Sequence, residues 1–125
     1  MQTKDLLQLA EEFGSPLYVY DAEKIQSQYK RLTNAFSKVE SLRINYAVKA
    51  LSNISVLKLL KEVGSGLDTV SIQEVELGLL AGFSPEKIIY PPNGVSFEEI
   101  EEVAHLGVQI NIDNLSILEQ FGAKY

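Results

Sequence analysis

The sequence predicts an α/β fold: the first four βα units of a (β/α)8 TIM-like barrel, preceded by a short helix and one strand. Three observations point there. Four short apolar segments, 44–48, 67–70, 88–90 and 108–112, read as strands centred on Tyr46, Thr69, Ile89 and Ile110, in steps of 23, 20 and 21 residues. Stretches with helical spacing of apolar residues lie between them. Gly64, Gly82 and Gly107 each fall where a helix should stop and the next strand begin. Strands alternating with helices at this period build a parallel sheet.

The elements follow in order. Leu6, Leu7, Leu9, Ala10 and Phe13 keep helical spacing and stop at Gly14. Residues 16–20, Pro-Leu-Tyr-Val-Tyr, read as a short strand because they are aromatic and β-branched. Asp21 suits the N-cap of a long helix whose apolar stripe is Ile25, Tyr29, Leu32 and Phe36. After the first barrel strand, Ser52 or Asn53 can cap a helix carrying Val56, Leu57, Leu59, Leu60 and Val63. Ile72, Val75, Leu79 and Leu80 mark the next helix, and Phe97, Ile100, Val103 and Ala104 the one after. Ser71 with Glu74, and Ser96 with Glu99, both fit the Ser-x-x-Glu capping box. A last helix is expected after Asp113 with Leu115, Ile117, Leu118 and Phe121, ending at Gly122, so that residues 123–125 lead toward a fifth strand. Four units are half of a barrel whose usual length is about 250 residues, and an open four-stranded sheet leaves bare edges. The chain therefore reads as a fragment.

Composition narrows the function classes. With 46% hydrophobic and 22% charged residues, the 125-residue chain has enough apolar matter for a core. A net charge of −6 and a pI near 4.8, with no basic stripe, argue against nucleic-acid binding. No cysteine is present, which excludes disulfides and zinc-thiolate sites and suits a reducing cytosol. No apolar run reaches the ~18–20 residues of a membrane span, and residues 1–5 lack a leader's apolar core. The expected location is cytoplasmic.

The chemistry gathers at Lys49. Strand alternation puts Asn45, Ala47 and Lys49 on one face and Ile44, Tyr46 and Val48 on the other. The small and polar set then faces the barrel interior, with Lys49 at the carboxyl end of its strand, where barrels carry their active sites. A lysine there suits Schiff-base chemistry, because burial frees the amine to attack an aldehyde. The same spacing also fits a solvated lysine just past a strand. Asp68 lies at similar depth on the second strand, as a cofactor-site carboxylate or as a turn residue after Gly66. Ser71 and Glu74 are capping residues before they are ligands. Gly64 and Gly66 lead into a strand, so they make no phosphate loop. Residues 91–94, Pro-Pro-Asn-Gly, form a turn that could offer Asn93 at the site's mouth. His105, the single histidine, belongs to a helix end.

Five segments in order resemble the diaminopimelate decarboxylase family, within the alanine-racemase-like barrels that also hold ornithine and arginine decarboxylases. They are residues 14–21 (Gly-Ser-Pro-Leu-Tyr-Val-Tyr-Asp), 46–50 (Tyr-Ala-Val-Lys-Ala), 66–71 (Gly-Leu-Asp-Thr-Val-Ser) with Glu74, 81–88 and 107–113. The chain departs from the family pattern at Leu51-Ser52-Asn53, where Asn usually follows Lys-Ala directly, at Ile72-Gln73, where Gly-Gly is usual, and at 91–94, where His-Gly-Asn-Asn is usual. The resemblance implies pyridoxal 5'-phosphate as cofactor, bonded to Lys49, with Asp68 close to both. It implies a small amino-acid substrate, meso-diaminopimelate, decarboxylated to L-lysine. It implies a homodimer when full length, residues 1–21 as part of a second, β-rich domain, and residues 22–125 as half of the cofactor-binding barrel. The ring-stacking histidine, the pyridinium partner, the glycine-rich phosphate loop and the acid-donating cysteine are then expected beyond Tyr125, so the fragment alone should not catalyse. Competing readings are a sister decarboxylase of arginine, ornithine or carboxynorspermidine, a non-catalytic regulator on the same barrel, and a single-domain barrel that binds the cofactor without decarboxylating.

Overall fold

A computed structural model describes residues 2–125; Met1, part of the stretch read for a leader, lies outside the described residues. Two helices, α1 (Thr3–Phe13) and α2 (Ala22–Ala35), precede four βα units. These are β1 (Asn45–Ala47) with α3 (Ile54–Glu62), β2 (Gly66–Asp68) with α4 (Ile72–Leu80), β3 (Ile88–Tyr90) with α5 (Phe97–His105), and β4 (Gln109–Ile110) with α6 (Leu115–Lys124). The strands form one parallel sheet in the order β1-β2-β3-β4. Repeated βα units in a parallel sheet were the expectation, and that much of the architecture holds.

Local chemistry sets the helix boundaries. Asp21 accepts from the Lys24 amide at 3.0 Å, and Asn53 accepts from Ser55 and Val56 at 2.9 and 3.3 Å. Each cap satisfies amides that a helix start leaves without intrahelical partners. Gly64, Gly82 and Gly107 sit at φ +90°, +90° and +74°, left-handed positions where a side chain would be strained.

Three expectations need correction. No strand forms over residues 16–20: the segment belongs to no sheet, and Leu17, Tyr18 and Tyr20 are exposed. Aromatic and β-branched residues supply propensity, but propensity without a neighbouring strand makes no ladder. The first barrel strand ends at Ala47, because Val48–Ala50 turn into one 3-10 turn. The last helix starts after Asp113 as expected, capped by Asn114 through the Ser116 amide at 2.9 Å, but it runs through Gly122 to Lys124 instead of ending at the glycine. There Lys124 pairs with Glu101 of α5, and the Tyr125 ring lies 4.8 Å from that of Phe121. These contacts outweigh the modest helix penalty of a single glycine.

The core lies between the sheet and helices α3, α4 and α5. Val48, Leu57, Leu67, Val75, Ile88, Tyr90 and Val103 are fully buried there, with Ile100 nearly so. Burying one such side chain is worth about 1.5–3 kcal/mol, so this layer outweighs the few ladder bonds that two- and three-residue strands can make. Alternation sends Leu67, Ile88 and Tyr90 to the helices and leaves Asn45, Ala47, Gly66, Asp68, Ile89 and Gln109 on the opposite face. Backbone register aligns Ala47, Asp68, Ile89 and Gln109 in one transverse row across that face.

Gly66 lies under the Asn45 side chain, which Arg43 Nε holds at 3.1 Å. A Cβ at Gly66 would overlap Asn45 Oδ1 and stand 2.9 Å from the Lys87 carbonyl oxygen. Gly66→Ala is expected to destabilise the protein by about 1–3 kcal/mol, read as a lower urea or thermal midpoint; an unchanged midpoint would show that β1 and β3 yield freely.

Candidate active site

The carboxyl ends of β1 and β2 bring the two sequence-predicted residues to the same rim. Asp68 is the last residue of β2, and its register partner on β1 is Ala47, two positions before Lys49. Lys49 is exposed at the centre of the 3-10 turn that leaves β1, while Val48 beside it is fully buried. The turn is thus anchored by Val48. It is braced a second time by the Tyr46 hydroxyl, which donates to the Leu51 carbonyl at 3.2 Å. Partial burial holds that hydroxyl above the ordinary tyrosine range, with the nearby Tyr20 as a lesser cause. Lys49 therefore leaves β1 through a fixed turn and not along a straight strand.

Asp68 carries the clearest hydrogen-bonding signal. Its Oδ1 is buried and has no hydrogen-bond partner. A buried carboxylate oxygen left unpaired is costly, on the order of 1–3 kcal/mol or more. Such an atom marks a place where a donor or a cation belongs.

Beyond Asp68 the chain is tied down at nearly every step. The Thr69 amide and hydroxyl both donate to the Ile89 carbonyl, at 3.0 and 2.9 Å. The Val70 amide donates to Glu74 Oε2 at 2.8 Å, and Ser71 caps α4 through the Glu74 amide at 3.3 Å. Ser71 and Glu74 thus serve as helix-start residues. The Ile72 amide donates to Glu99 Oε1 at 3.2 Å, and the same oxygen accepts from the Tyr90 hydroxyl at 2.6 Å. Burial, and secondarily the Glu99 carboxylate, hold the Tyr90 hydroxyl well above the ordinary tyrosine range.

The remaining sequence candidates lie around this rim or away from it. Asn93, in the turn after β3, donates to Asp113 Oδ2 after β4 at 3.4 Å, bridging two strand-end loops. His105 Nδ1 donates to the Glu101 carbonyl at 2.7 Å within α5, a helix-end contact remote from Lys49 in sequence and role. A cavity between the same two loops, lined by Pro92, Val95, Ile112 and Asp113 among others, measures about 90 Å³. That is well below the ~300 Å³ at which ligand pockets begin; a larger cavity of about 360 Å³, lined by Asn45, Tyr46, Ala47 and Ala50 among others, lies beside the lysine turn. Among the described residues no group of three or more acidic or histidine side chains could hold a metal, and no helix is long and apolar enough to cross a membrane.

Sequence reasoning did not single out Ile89 and Gln109, the other members of the row through Asp68. Applying period-two alternation to all four strands would have found them. It also left Tyr46 to packing and Glu99 to local capping, because the partners of both are set by tertiary contact.

A parallel βα sheet that presents a lysine turn and a carboxylate with one buried, unpartnered oxygen at its strand ends has the α/β character of proteins whose ligand sites lie at the carboxyl ends of their strands. The chain belongs to the pyridoxal-dependent decarboxylases: residues 22–125 match the model of that family's pyridoxal binding domain. It is 43% identical over 115 residues to the diaminopimelate decarboxylase of Methanothermobacter thermautotrophicus, covering 91% of this chain and 27% of that protein. Among solved structures it resembles diaminopimelate decarboxylase from M. jannaschii in complex with L-lysine, with a TM-score of 0.82, 31% identity, and coverage of 94% of this chain and 30% of that one. It also resembles lysine/ornithine decarboxylase from Vibrio vulnificus complexed with putrescine, with a TM-score of 0.86, 29% identity, and coverage of 97% of this chain and 33% of that one. The chain thus spans about a quarter to a third of the proteins it matches. The family resemblance read from the five sequence segments holds, and with it pyridoxal 5'-phosphate as the cofactor.

The unpaired Asp68 oxygen makes a stability prediction that does not involve turnover. Asp68→Asn, melted without cofactor, is expected to keep or raise the thermal midpoint, by up to about 1 kcal/mol of stability. A clear fall in the midpoint would mean that the carboxylate has a stabilising partner in the fold itself.

Proposed function

We propose that the whole protein to which this chain belongs is a pyridoxal-phosphate-dependent carboxy-lyase that converts meso-diaminopimelate to L-lysine and carbon dioxide. One observation carries the reading. Lys49 sits on a braced turn at the carboxyl end of β1, and the neighbouring strand ends in Asp68, whose buried oxygen lacks a partner. Those residues fit the cofactor: Lys49 would hold it covalently through Nζ, and Asp68 would accept a hydrogen bond from the lysine or from a donor on the bound group.

Bound pyridoxal phosphate supplies an electron sink for the pair left behind when the substrate's α-carboxylate departs. The chain's own residues do the rest of what can be derived. The Lys49 amine must lose its proton before it can form a covalent bond, and when it is released from that bond it is again free to take one up at Nζ. Asp68, at the end of the adjacent strand, offers a carboxylate oxygen to a donor placed at that rim. The fixed turn limits the search the lysine side chain must make.

The substrate assignment leans on the diaminopimelate decarboxylases among the relatives and on the L-lysine complex described above. A second reading is favoured by the equally good fit to lysine/ornithine decarboxylase: the same chemistry acting on ornithine, arginine or carboxynorspermidine. In either reading the whole protein works in the cytoplasm as a homodimer. Residues 1–21 join a second, β-rich domain, and residues 22–125 form the leading half of the barrel. The exposure of Leu7, Phe13 and Tyr18, on a segment that buries nothing here, supports a covering partner for that part of the chain.

Borohydride reduction of the whole protein followed by peptide mapping is expected to find the pyridoxyl group on Lys49, and Lys49→Ala is expected to abolish both adduct and activity. An adduct on any other lysine defeats the assignment. Carbon dioxide release measured with meso-diaminopimelate, ornithine and arginine then separates the two substrate readings, the first substrate being expected to react fastest.

A further inference from the structure

The two capping boxes are alike in sequence but not in structure. In the first, Ser71 and Glu74 act on their own helix start: Ser71 Oγ accepts from the Glu74 amide, and the Glu74 carboxylate accepts from the Val70 amide. In the second, Ser96 accepts from the Glu99 amide at 3.2 Å, as expected, but the Glu99 carboxylate leaves its own helix start. One of its oxygens, Oε1, takes the Ile72 amide of α4 and the Tyr90 hydroxyl at the end of β3. A single half-buried carboxylate thus ties three elements from two consecutive units. Its negative charge also faces the amino end of α4, where amides lack intrahelical partners and the helix dipole is positive.

We propose that Glu99 is a positioning residue for the cofactor site, acting through α4 and the connection that precedes it. That connection is Thr69-Val70-Ser71, and it follows directly on Asp68. Its start is held by Thr69 on the Ile89 carbonyl and its end by Ile72 on Glu99, so Asp68 projects from a segment anchored on both sides of the loop. Tyr90 is fully buried and donates to the same Oε1, which fixes the rotamer of Glu99. Without Glu99, the Ile72 amide loses its acceptor and the Tyr90 hydroxyl is left buried without one. The loop then keeps Thr69 and Glu74 but loses its tie to α5 and β3, so that α4 and the segment carrying Asp68 can shift relative to the third unit. The inference rests on the function proposed above.

The test uses the whole protein with pyridoxal phosphate as the probe. Glu99→Ala, Glu99→Gln and Tyr90→Phe are compared with wild type for cofactor Kd, for the pH titration of the bound cofactor's visible absorption band, and for melting temperature. Glu99→Ala is expected to weaken cofactor binding by about 10- to 100-fold, the range for loss of a partner that orients a binding residue, and to displace the midpoint of the absorption titration. Glu99→Gln keeps an acceptor oxygen at the same position and is expected to restore most of both. Tyr90→Phe leaves Glu99 held by the Ile72 amide alone and is expected to shift both readouts in the same direction by less. A part that is structural only would lower the melting temperature while leaving Kd and titration at wild-type values, and that result in folded Glu99→Ala overturns the proposal. Should Glu99→Ala not fold, wild-type Kd and titration in Tyr90→Phe overturn it instead. If wild type itself takes no cofactor at Lys49, the function reading falls and this inference with it; if wild type binds and the variants are unaffected, only the inference about Glu99 falls.

Discussion

Everything in this fold depends on one apolar layer. The strands contribute two or three residues each, too few for their ladders to fix a sheet by backbone bonding alone. Position is set instead by Leu67, Ile88 and Tyr90 pointing into the helices, where they meet Leu57, Val75, Ile100 and Val103. Once those residues choose the helix side, the pleat leaves the intervening ones no alternative. Asn45, Ala47, Gly66, Asp68, Ile89 and Gln109 must take the other face. A carboxylate on that face is therefore a by-product of how its neighbours pack, and so is its alignment with Ala47 on the adjoining strand.

The polar contacts at the rim complete what packing begins. The lysine turn hangs from buried Val48 and from the Tyr46 hydroxyl. The loop after Asp68 hangs from Thr69, Glu74 and Glu99. Nearly every group at this end is satisfied, which makes the bare oxygen of Asp68 informative. Amides around Asp68 are paired while its buried Oδ1 has no partner. Local imperfections of this kind are expected where a ligand completes the network.

Much of this was legible beforehand, for reasons that differ by element. Helices α2 to α5 and their ends follow from apolar spacing, serine, aspartate or asparagine caps and left-handed glycines, all of which act within a few residues. The four strands were found because their apolar runs recur between those helices; 88–90 matches β3 at both ends, while the other three run on too far: alternation continues in sequence after the chain has turned, as at Val48–Ala50. What could not be read depends on contacts distant in sequence. Residues 16–20 have strand composition but no neighbour to pair with. Gly122 looks like a stop, yet Lys124 and Tyr125 find partners on Glu101 and Phe121 that carry the helix past it. Glu74 and Glu99 occupy the same motif position, and only the proximity of Tyr90 and Ile72 sends one of them elsewhere. Lys49 and Asp68 stood out in sequence because strand ends are where such chemistry collects, whereas Tyr46 looked like core and is also a brace.

The connections leaving the strands are unequal in length, and this bears on how such a scaffold can diversify. Three residues join β2 to α4, whereas six, 91–96, join β3 to α5. The shorter link has two of its three amides committed, those of Thr69 and Val70, and could not absorb an insertion without disturbing the carboxylate at its root. The longer one carries exposed Asn93 and Gly94, the latter at φ +70°, and tolerates new lengths and side chains at small cost. A change of length is therefore easier to accommodate in the third unit than in the second, and the Pro-Pro-Asn-Gly run stands in that more permissive link.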